Sequence, residues 1–446
     1  MREKIRLGFK LDGSPLHYKG DGHLILTAPT RSGKTTDFLA ALGLTFRGSL
    51  IVVDPKAQLA AITKRRREQF GPVKVLNPFQ LFHSLLGDSD SFNPFTILKP
   101  GSLGFVADCD AIAEGFIVSD PKGENSHFTD SARQLYSGGI MHLMTCPAFP
   151  DSKKNLAYLY DRISREPLSF ATQAIETGTD LVKQRLNRFA DPKTYEGREI
   201  PSIISVATRQ TAFIGIEAIG KSLSGPSFDW RSLKKEPTTI YLTLPTEYVE
   251  PAGKWFRLII ASALKVLLRE PEDDDTVPIL AILDEFSTCI GQLSIMETAM
   301  SLAAGYGLQL LPVLQDLNQL KKHYPTSFES FLANSDVQIY CAPRDPTTAE
   351  YVSKLSGEKE VRVPSESLND GGTPAKPSGS VGISWGRTVV PELRLHDLFR
   401  LPRDKAVCFH AGEVLMFSRA SYFDETRYPE FKGMYDRDPY YREGRI

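Results

Sequence analysis

The stretch Ala28-Pro29-Thr30-Arg31-Ser32-Gly33-Lys34-Thr35 constrains this chain more than any other feature. It fits the phosphate-binding loop pattern, with Ala28 where the pattern has its first glycine. The spacing has a physical cause. Successive backbone N–H groups must curl around phosphate oxygens, so Gly33 permits close approach. Lys34 reaches the β- and γ-phosphates, and the Thr35 hydroxyl can hold Mg²⁺. The following helix turns its positive end toward the anion. Thr30, Arg31, Ser32, Gly33, Lys34, Thr35 and Thr36 are therefore the candidate nucleotide-binding residues. The context agrees: Leu24–Thr27 reads as a buried strand and Thr36 to Thr45 as a helix.

A strand that feeds such a loop belongs in a parallel α/β sheet. Further strands are expected at Ser49–Asp54, Val73–Leu76, Thr239–Leu244, Pro278–Asp284, Leu308–Leu314 and Val337–Cys341, with a closing hairpin at Ala406–Phe409 and Val414–Phe417. Helices are expected over Pro251 to Leu268 and Ser294 to Ala304. Between Asp151 and about Gly225 the pattern changes to helices and turns. Leu156, Leu159, Tyr160 and Ile163 fall at helical spacing, as do Leu181, Leu186 and Phe189. With the helix Phe128 to Leu143 this predicts an all-α insertion over residues 125–225, splitting an α/β domain into 1–124 and 226–446. Pro364 to Arg387 is rich in Ser, Gly and Pro and is expected to be a mobile loop.

Asp284–Glu285 end the most apolar strand after the loop. An acid there can hold Mg²⁺, and its neighbour can orient and polarise an attacking water. Asp284 and Thr35 are thus the candidate metal ligands, and Glu285 and Lys34 the candidate catalytic residues. Gln315 ends the next strand, where ligands bind in α/β sheets. It is either a γ-phosphate sensor or a satisfied turn residue. Asp54 and Lys56 lie at the same edge. Arg65-Arg66-Arg67 reads as a solvated helix face.

Composition narrows the partners. Lys plus Arg number 53 against 54 Asp plus Glu, so net charge gives no general nucleic-acid signal. Any such contact needs a local basic surface. Lys183, Arg185 and Arg188, close together in the helical insertion, are the candidates, and a solvated face is the alternative. The 5 cysteines are scattered without a CxxC pair, which suits reduced, buried thiols. Met1 to Phe9 is charged, without the apolar centre of a signal or anchor. The longest apolar run, Leu258 to Leu268, contains Lys265 and is too short to span a bilayer. No membrane-spanning segment is expected.

Several motifs in order resemble the coupling ATPases of type IV secretion and conjugation, the TraG/TraD-type proteins. Gly20-Asp21-Gly22-His23 precedes the phosphate loop. Asp54-Pro55-Lys56 follows, then Phe128 to Ala132 leading into the helices, and Leu283-Asp284-Glu285-Phe286. Next come Gly305-Tyr306-Gly307, Gln315-Asp316-Leu317-Asn318-Gln319-Leu320, Thr348-Ala349-Glu350-Tyr351 with Ser353, and Leu401-Pro402-Arg403-Asp404. The resemblance implies a RecA-like motor with an inserted all-α domain. It implies ATP and Mg²⁺ as cofactors and a homo-hexameric ring when active. It implies delivery of single-stranded DNA with its relaxase, or of effector proteins, to other secretion components at the inner membrane. A nucleotide-dependent recruitment module with little turnover, or a general FtsK-like DNA translocase, are the alternatives. There are departures. Such proteins usually carry an N-terminal transmembrane segment, whereas here the motor begins almost at once. Gly-Glu usually follows the second motif, where this chain has Ala57-Gln58. Ala303-Ala304-Gly305 occupies the segment where some relatives place a trans-acting arginine. These features predict a cytoplasmic, peripherally recruited protein that is monomeric in isolation.

Overall fold

Short runs of Leu, Ile and Val, apolar on both sides, become the strands of one sheet covered on both faces. The computed structural model describes residues 4–118, 126–370 and 379–440. The strands are β1 (Ile5–Phe9), β2 (Pro15–Tyr18), β3 (His23–Thr27), β4 (Ser49–Val53), β5 (Val73–Leu76), β6 (Thr239–Leu242) and β7 (Ile279–Leu283). They continue with β8 (Leu308–Leu314), β9 (Ser335–Tyr340), β10 (Glu358–Asp370), β11 (Gly379–Pro391), β12 (Lys405–His410) and β13 (Glu413–Ser418). All but β10 and β11 join an 11-stranded sheet in the order β2-β1-β13-β12-β9-β3-β8-β7-β4-β6-β5. From β9 to β5 every pairing is parallel. β12, β13, β1 and β2 extend it antiparallel.

Alternation along each strand decides which core it feeds. Leu24, Leu26, Leu50 and Val52 pack with Phe38, Leu39, Leu59 and the C-terminal Tyr422 and Tyr428. Ile25, Ile51 and Val53 point to the other face. They join one apolar cluster with Phe105, Tyr136, Leu186, Trp255 and Met296. That second cluster runs without a break from the sheet into the helices Ser126–Thr145, Leu156–Arg165, Pro167–Thr177, Asp180–Leu186, Glu199–Thr211 and Glu217–Ser222. Between residues 126 and 222 the structure contains helices and turns and no strand. Asn155 caps Leu156–Arg165 by accepting from Tyr158 N at 2.9 Å, and Leu156, Leu159 and Ile163 form its buried stripe. Leu181, expected on a buried face, is exposed, and its neighbour Val182 is buried instead. The expected boundary at 124/125 lies outside the described residues.

Three expectations need correction. The charged reading of Met1 to Phe9 overlooked β1: Ile5–Phe9 is buried at every position, because Arg6 lies over the Phe9 and Tyr428 rings rather than in water. The expected solvated face at Arg65–Arg67 fails at Arg67. Its guanidinium is buried and donates to Phe46 O, to Gly48 O at 2.6 Å and to Thr239 Oγ1 at 2.7 Å. The expected loop Pro364 to Arg387 lies within a two-stranded hairpin, with β10 and β11 in register from Glu358↔Pro391 to Asp370↔Gly379. An antiparallel ladder satisfies its own backbone groups without burial, so a Ser- and Gly-rich composition does not forbid it. The part of that loop at 371–378 lies outside the described residues.

All five cysteines are free and buried. No helix among the described residues is long and apolar enough to cross a membrane.

Candidate active site

Parallel strands end on the same edge, and the sheet order brings the expected residues to it. β3 delivers Ala28 and the phosphate loop, β8 delivers Gln315, β7 delivers Asp284 and Glu285, and β4 delivers Asp54. The loop is tied to its neighbour where Ala28 N donates to Leu314 O at 2.8 Å. Arg31 (φ 63) and Gly33 (φ 87) both take left-handed backbone, which turns alternate amides inward. Only glycine suits the second of these. A Cβ at Gly33 would sit 2.4 Å from the Asp37 carboxylate. The helix that follows starts at Lys34, earlier than expected, as a wide turn over Lys34–Leu39 that tightens into Ala40–Thr45.

Side-chain geometry joins five of the expected residues. Lys34 Nζ donates to Glu285 Oε1 at 2.6 Å and lies 3.2 Å from Asp284 Oδ1. Gln315 Nε2 donates to the other Glu285 oxygen at 3.0 Å, and Thr30 Oγ1 donates to Gln315 Oε1 at 3.1 Å. Gln315 thus bridges the phosphate loop and Glu285. Gln319 Oε1 accepts from Gln315 N at 2.9 Å and fixes its backbone. Glu285 itself sits at φ 49, a left-handed conformation uncommon for a non-glycine residue and held here by its neighbours.

The charges are set by burial and by each other. Burial pulls the Lys34 ammonium down, but Asp284 and Glu285 outweigh it and hold the group above its ordinary value. Burial pushes Glu285 up, yet Lys34 and Gln315 bring it below the usual carboxylate range. Burial keeps Asp284 raised against the opposing pull of Lys34. Asp54 is buried and raised to about 7, mainly by burial and also by Asp284, with the amide of Ala60 opposing. It caps the helix Gln58–Arg67, accepting from Gln58 N at 3.0 Å and Ala60 N at 2.8 Å. Ala57 stands at φ 53, which explains why glycine suits that position in similar sequences.

A brace behind the loop comes from the far end of the chain. Arg419, past the last strand, is buried and donates to Ser32 O at 2.8 Å and to Asp37 Oδ2 at 3.2 Å. Ser421 Oγ donates to Asp37 Oδ1 at 2.9 Å, and Tyr422 N donates to Thr36 O at 2.9 Å. These residues lie nearly a whole chain from the loop they support, so no local pattern could reveal them.

The three basic residues of the helical stretch do not form one free cationic face. Arg185 makes a bidentate pair with Asp110, 2.9 Å on each arm. Arg188 lies over the Phe189 ring, with Glu199 at 3.9 Å. Lys183 is exposed.

Comparisons with known proteins place this geometry. A sequence model of the family described as "Type IV secretory system Conjugative DNA transfer" matches residues 5–439. The protein VirD4 of Rhizobium radiobacter is 28% identical over 365 residues, covering 80% of this chain and 51% of its own length. The conjugal transfer protein TraG of Escherichia coli is 24% identical over 408 residues, covering 87% of this chain and 63% of its own. The chain thus spans about half the length of its VirD4 relatives. Among solved structures, the bacterial conjugative coupling protein TrwBdeltaN70 superposes with a TM-score of 0.67 at 16% identity, over 93% of this chain and 88% of that one. Plasmid coupling protein TrwB in complex with ADP and Mg²⁺ gives a TM-score of 0.65 at 15% identity, over 93% and 88%. The fold is therefore the RecA-like P-loop fold of the coupling proteins.

Proposed function

Because the chain belongs to the type IV secretory system conjugative DNA transfer family, we propose that it is an ATP-hydrolysing coupling protein. Its work is to deliver single-stranded DNA with a bound relaxase, or effector proteins, to a secretion channel. The observation that carries this reading is the linked set Thr30–Gln315–Glu285–Lys34–Asp284 on one sheet edge. The nucleotide-bound TrwB structures support it. The division follows: 1–124 and 226–446 form the motor, and 125–225 an inserted helical domain.

The residues present fit Mg²⁺ and a nucleotide. Ser32 Oγ is buried in the loop without a hydrogen-bond partner. Thr35 and Asp284 would hold the metal, which neutralises phosphate charge when bound. Lys34 trades its carboxylate partners for phosphate oxygens. That exchange frees Glu285 Oε1 to accept a proton from the attacking water. Gln315, anchored by Thr30, keeps the other Glu285 oxygen in place. Thr30, Arg31, Ser32, Gly33 and Thr36 complete the cradle.

Assembly and location follow the same reading. The active species is a homo-hexamer, with its trans-acting arginine drawn from outside the Ala303–Gly305 segment. The isolated chain is monomeric, and it is recruited from the cytoplasm to the inner membrane by other secretion components. Nucleic acid or such a partner raises both assembly and turnover by mass action. ATP turnover measured with and without single-stranded DNA and a cognate relaxase tests this. Stimulation by DNA is expected. Nucleotide binding without turnover under every condition would leave the recruitment module instead. In the same assay Lys34→Ala weakens nucleotide affinity by roughly 10- to 100-fold, the loss of a charge-assisted contact. Unchanged affinity would remove Lys34 from the phosphate site.

A further inference from the structure

Behind Glu285 the chain turns through Phe286–Cys289 and Ile290–Gln292, and the first turn of the helix Lys254–Leu267 packs against that turn. Between them lies a cavity of about 840 Å³. Thr30, Glu285 and Gln315 line its catalytic end, and Lys254 and Arg257 line it deeper, with Lys56 and Lys322 also in its wall.

Its charges are unbalanced. Arg257 is only 7% exposed; Nη1 donates to Ile290 O at 2.6 Å and to Gln292 O, and Nε has no partner. Lys254 Nζ donates to Gln210 O at 2.9 Å and to the Gln210 side-chain oxygen. Neither cation makes an ion pair among the described residues. Burial, then Arg257 and Arg209, pull the Lys254 ammonium down to about 8. Burial likewise pulls Arg257 down to about 10, with Glu114 and Tyr324 opposing. A buried cation without a counter-charge is costly, and an anion relieves that cost. The carboxylates in the wall do not supply one. Glu285 is engaged by Lys34 and Gln315, and Glu250 makes no ion pair with either cation.

We propose that this cavity receives the inorganic phosphate that hydrolysis releases, lodging it against Lys254 and Arg257. The assignment rests on the ATPase reading for the source of its ligand. Water supplies the oxygen that joins the γ-phosphorus, its proton passes to Glu285, the bond from that phosphorus to the bridging oxygen breaks, ADP leaves with the bridging oxygen, and orthophosphate is the second product. The cavity adjoins the residues that hold the attacking water, so the product need not retreat through the nucleotide's own opening. A polymer backbone is a poorer occupant, because Arg257 lies too deep for a strand lying along the surface.

Lys254 gives the site a consequence. Its ammonium is bonded to Gln210, in the helix Glu199–Thr211 of the helical stretch. An incoming phosphate competes with Gln210 for the same N–H donors. Phosphate arrival therefore loosens one tie between the motor and the helices, and phosphate departure restores it.

The test titrates the full chain with inorganic phosphate by calorimetry in a Lys34→Ala background, which disables the phosphate loop as a competing site. Phosphate should still bind. Lys254→Gln should weaken it at least about tenfold, Lys254→Arg should restore most of it, and Gln210→Leu should tighten it by freeing the N–H that the Gln210 side chain holds. Because Gln210→Leu leaves both cations in place, it keeps the test alive if Lys254→Gln does not fold. Loss of all phosphate binding on Lys34→Ala would overturn the proposal, as would affinity indifferent to both Lys254→Gln and Gln210→Leu. ATP turnover of the wild-type chain is measured alongside, with and without single-stranded DNA and a cognate relaxase. If turnover is absent while Lys254-dependent phosphate binding persists, the ATPase reading fails and takes the product assignment with it. If turnover is present without that binding, only the cavity assignment fails.

Discussion

The sheet and the helical stretch 126–222 each bury a histidine, and they treat it in opposite ways. At the amino end of β3, opposite the catalytic edge, His23 accepts from Leu310 N at 3.1 Å on Nδ1 and donates from Nε2 to Ala299 O at 3.1 Å, joining β3, β8 and the helix Ser294–Leu302. In the helical stretch, His142 is fully buried between Phe149 and Phe170, and neither ring nitrogen has a partner. The same residue is a polar staple in one region and an apolar filler in the other. The difference teaches what each region must keep. The sheet fixes its strands and a flanking helix through directional bonds, and bonds of the same kind position the catalytic residues at its carboxyl edge. The helical stretch holds together by continuous apolar packing with the sheet core, and Gly138 and Gly139 let Leu186 and Leu159 approach closely.

That contrast can be broken most forcefully behind the phosphate loop. Arg419→Met removes a buried cation from Asp37 and the Ser32 carbonyl. It should cost about 3 kcal/mol or more, since it leaves a half-buried carboxylate unpaired. Chemical denaturation checks this, and nucleotide affinity should fall with stability. A loss under about 0.5 kcal/mol, the range of an ordinary surface change, would mean the brace does not hold the loop.

The next effect lies in the helices and depends on pH. Burial lowers His142 from its ordinary 6.5 to about 4. The neutral ring contributes its full stability above pH 6.5. As pH falls from 6.5 toward 4 the unfolded chain binds the proton more readily, and up to about 3 kcal/mol is lost. His142→Leu should flatten the denaturation profile by that amount across the same window. A profile unchanged by the substitution would show that the site is hydrated in solution.

The smallest effect is expected on the helical surface. With Arg185 held by Asp110 and Arg188 by Phe189 and Glu199, Lys183 is the one of these three left to meet a phosphate backbone. Lys183→Glu should change the salt slope of single-strand binding by about one at most. A slope change of several units would restore this face as the main nucleic-acid contact.

Much of the edge was legible because its chemistry is written in contiguous residues. A phosphate loop after an apolar run, an acid pair ending another and Gln315 ending a third are local patterns that survive without a structure. The strands of the parallel half were legible for the same reason. What escaped depends on distant partners. Arg6 hides β1 in a charged N-terminus because its aromatic partners Tyr428 and Phe431 come from the far end of the chain. Arg67 looks like its exposed neighbours until Phe46, Gly48 and Thr239 are seen around it. The hairpin β10–β11 was missed because composition reports turn-forming residues and says little about two arms that satisfy each other. Arg185 looks like a free cation in sequence because its partner Asp110 lies 75 residues earlier.

The central claim is that Glu285 polarises the attacking water while Lys34, Asp284 and Gln315 position the rest. Glu285→Gln tests it most directly, because the amide keeps the shape and the contact to Gln315 while losing the ability to take a proton. Nucleotide affinity, by fluorescent-nucleotide titration, should stay within a few-fold of wild type. Turnover, by steady-state phosphate release, should fall by roughly 100-fold or more, the range of general-base contributions. Turnover close to wild type in a variant that binds nucleotide normally would contradict the claim.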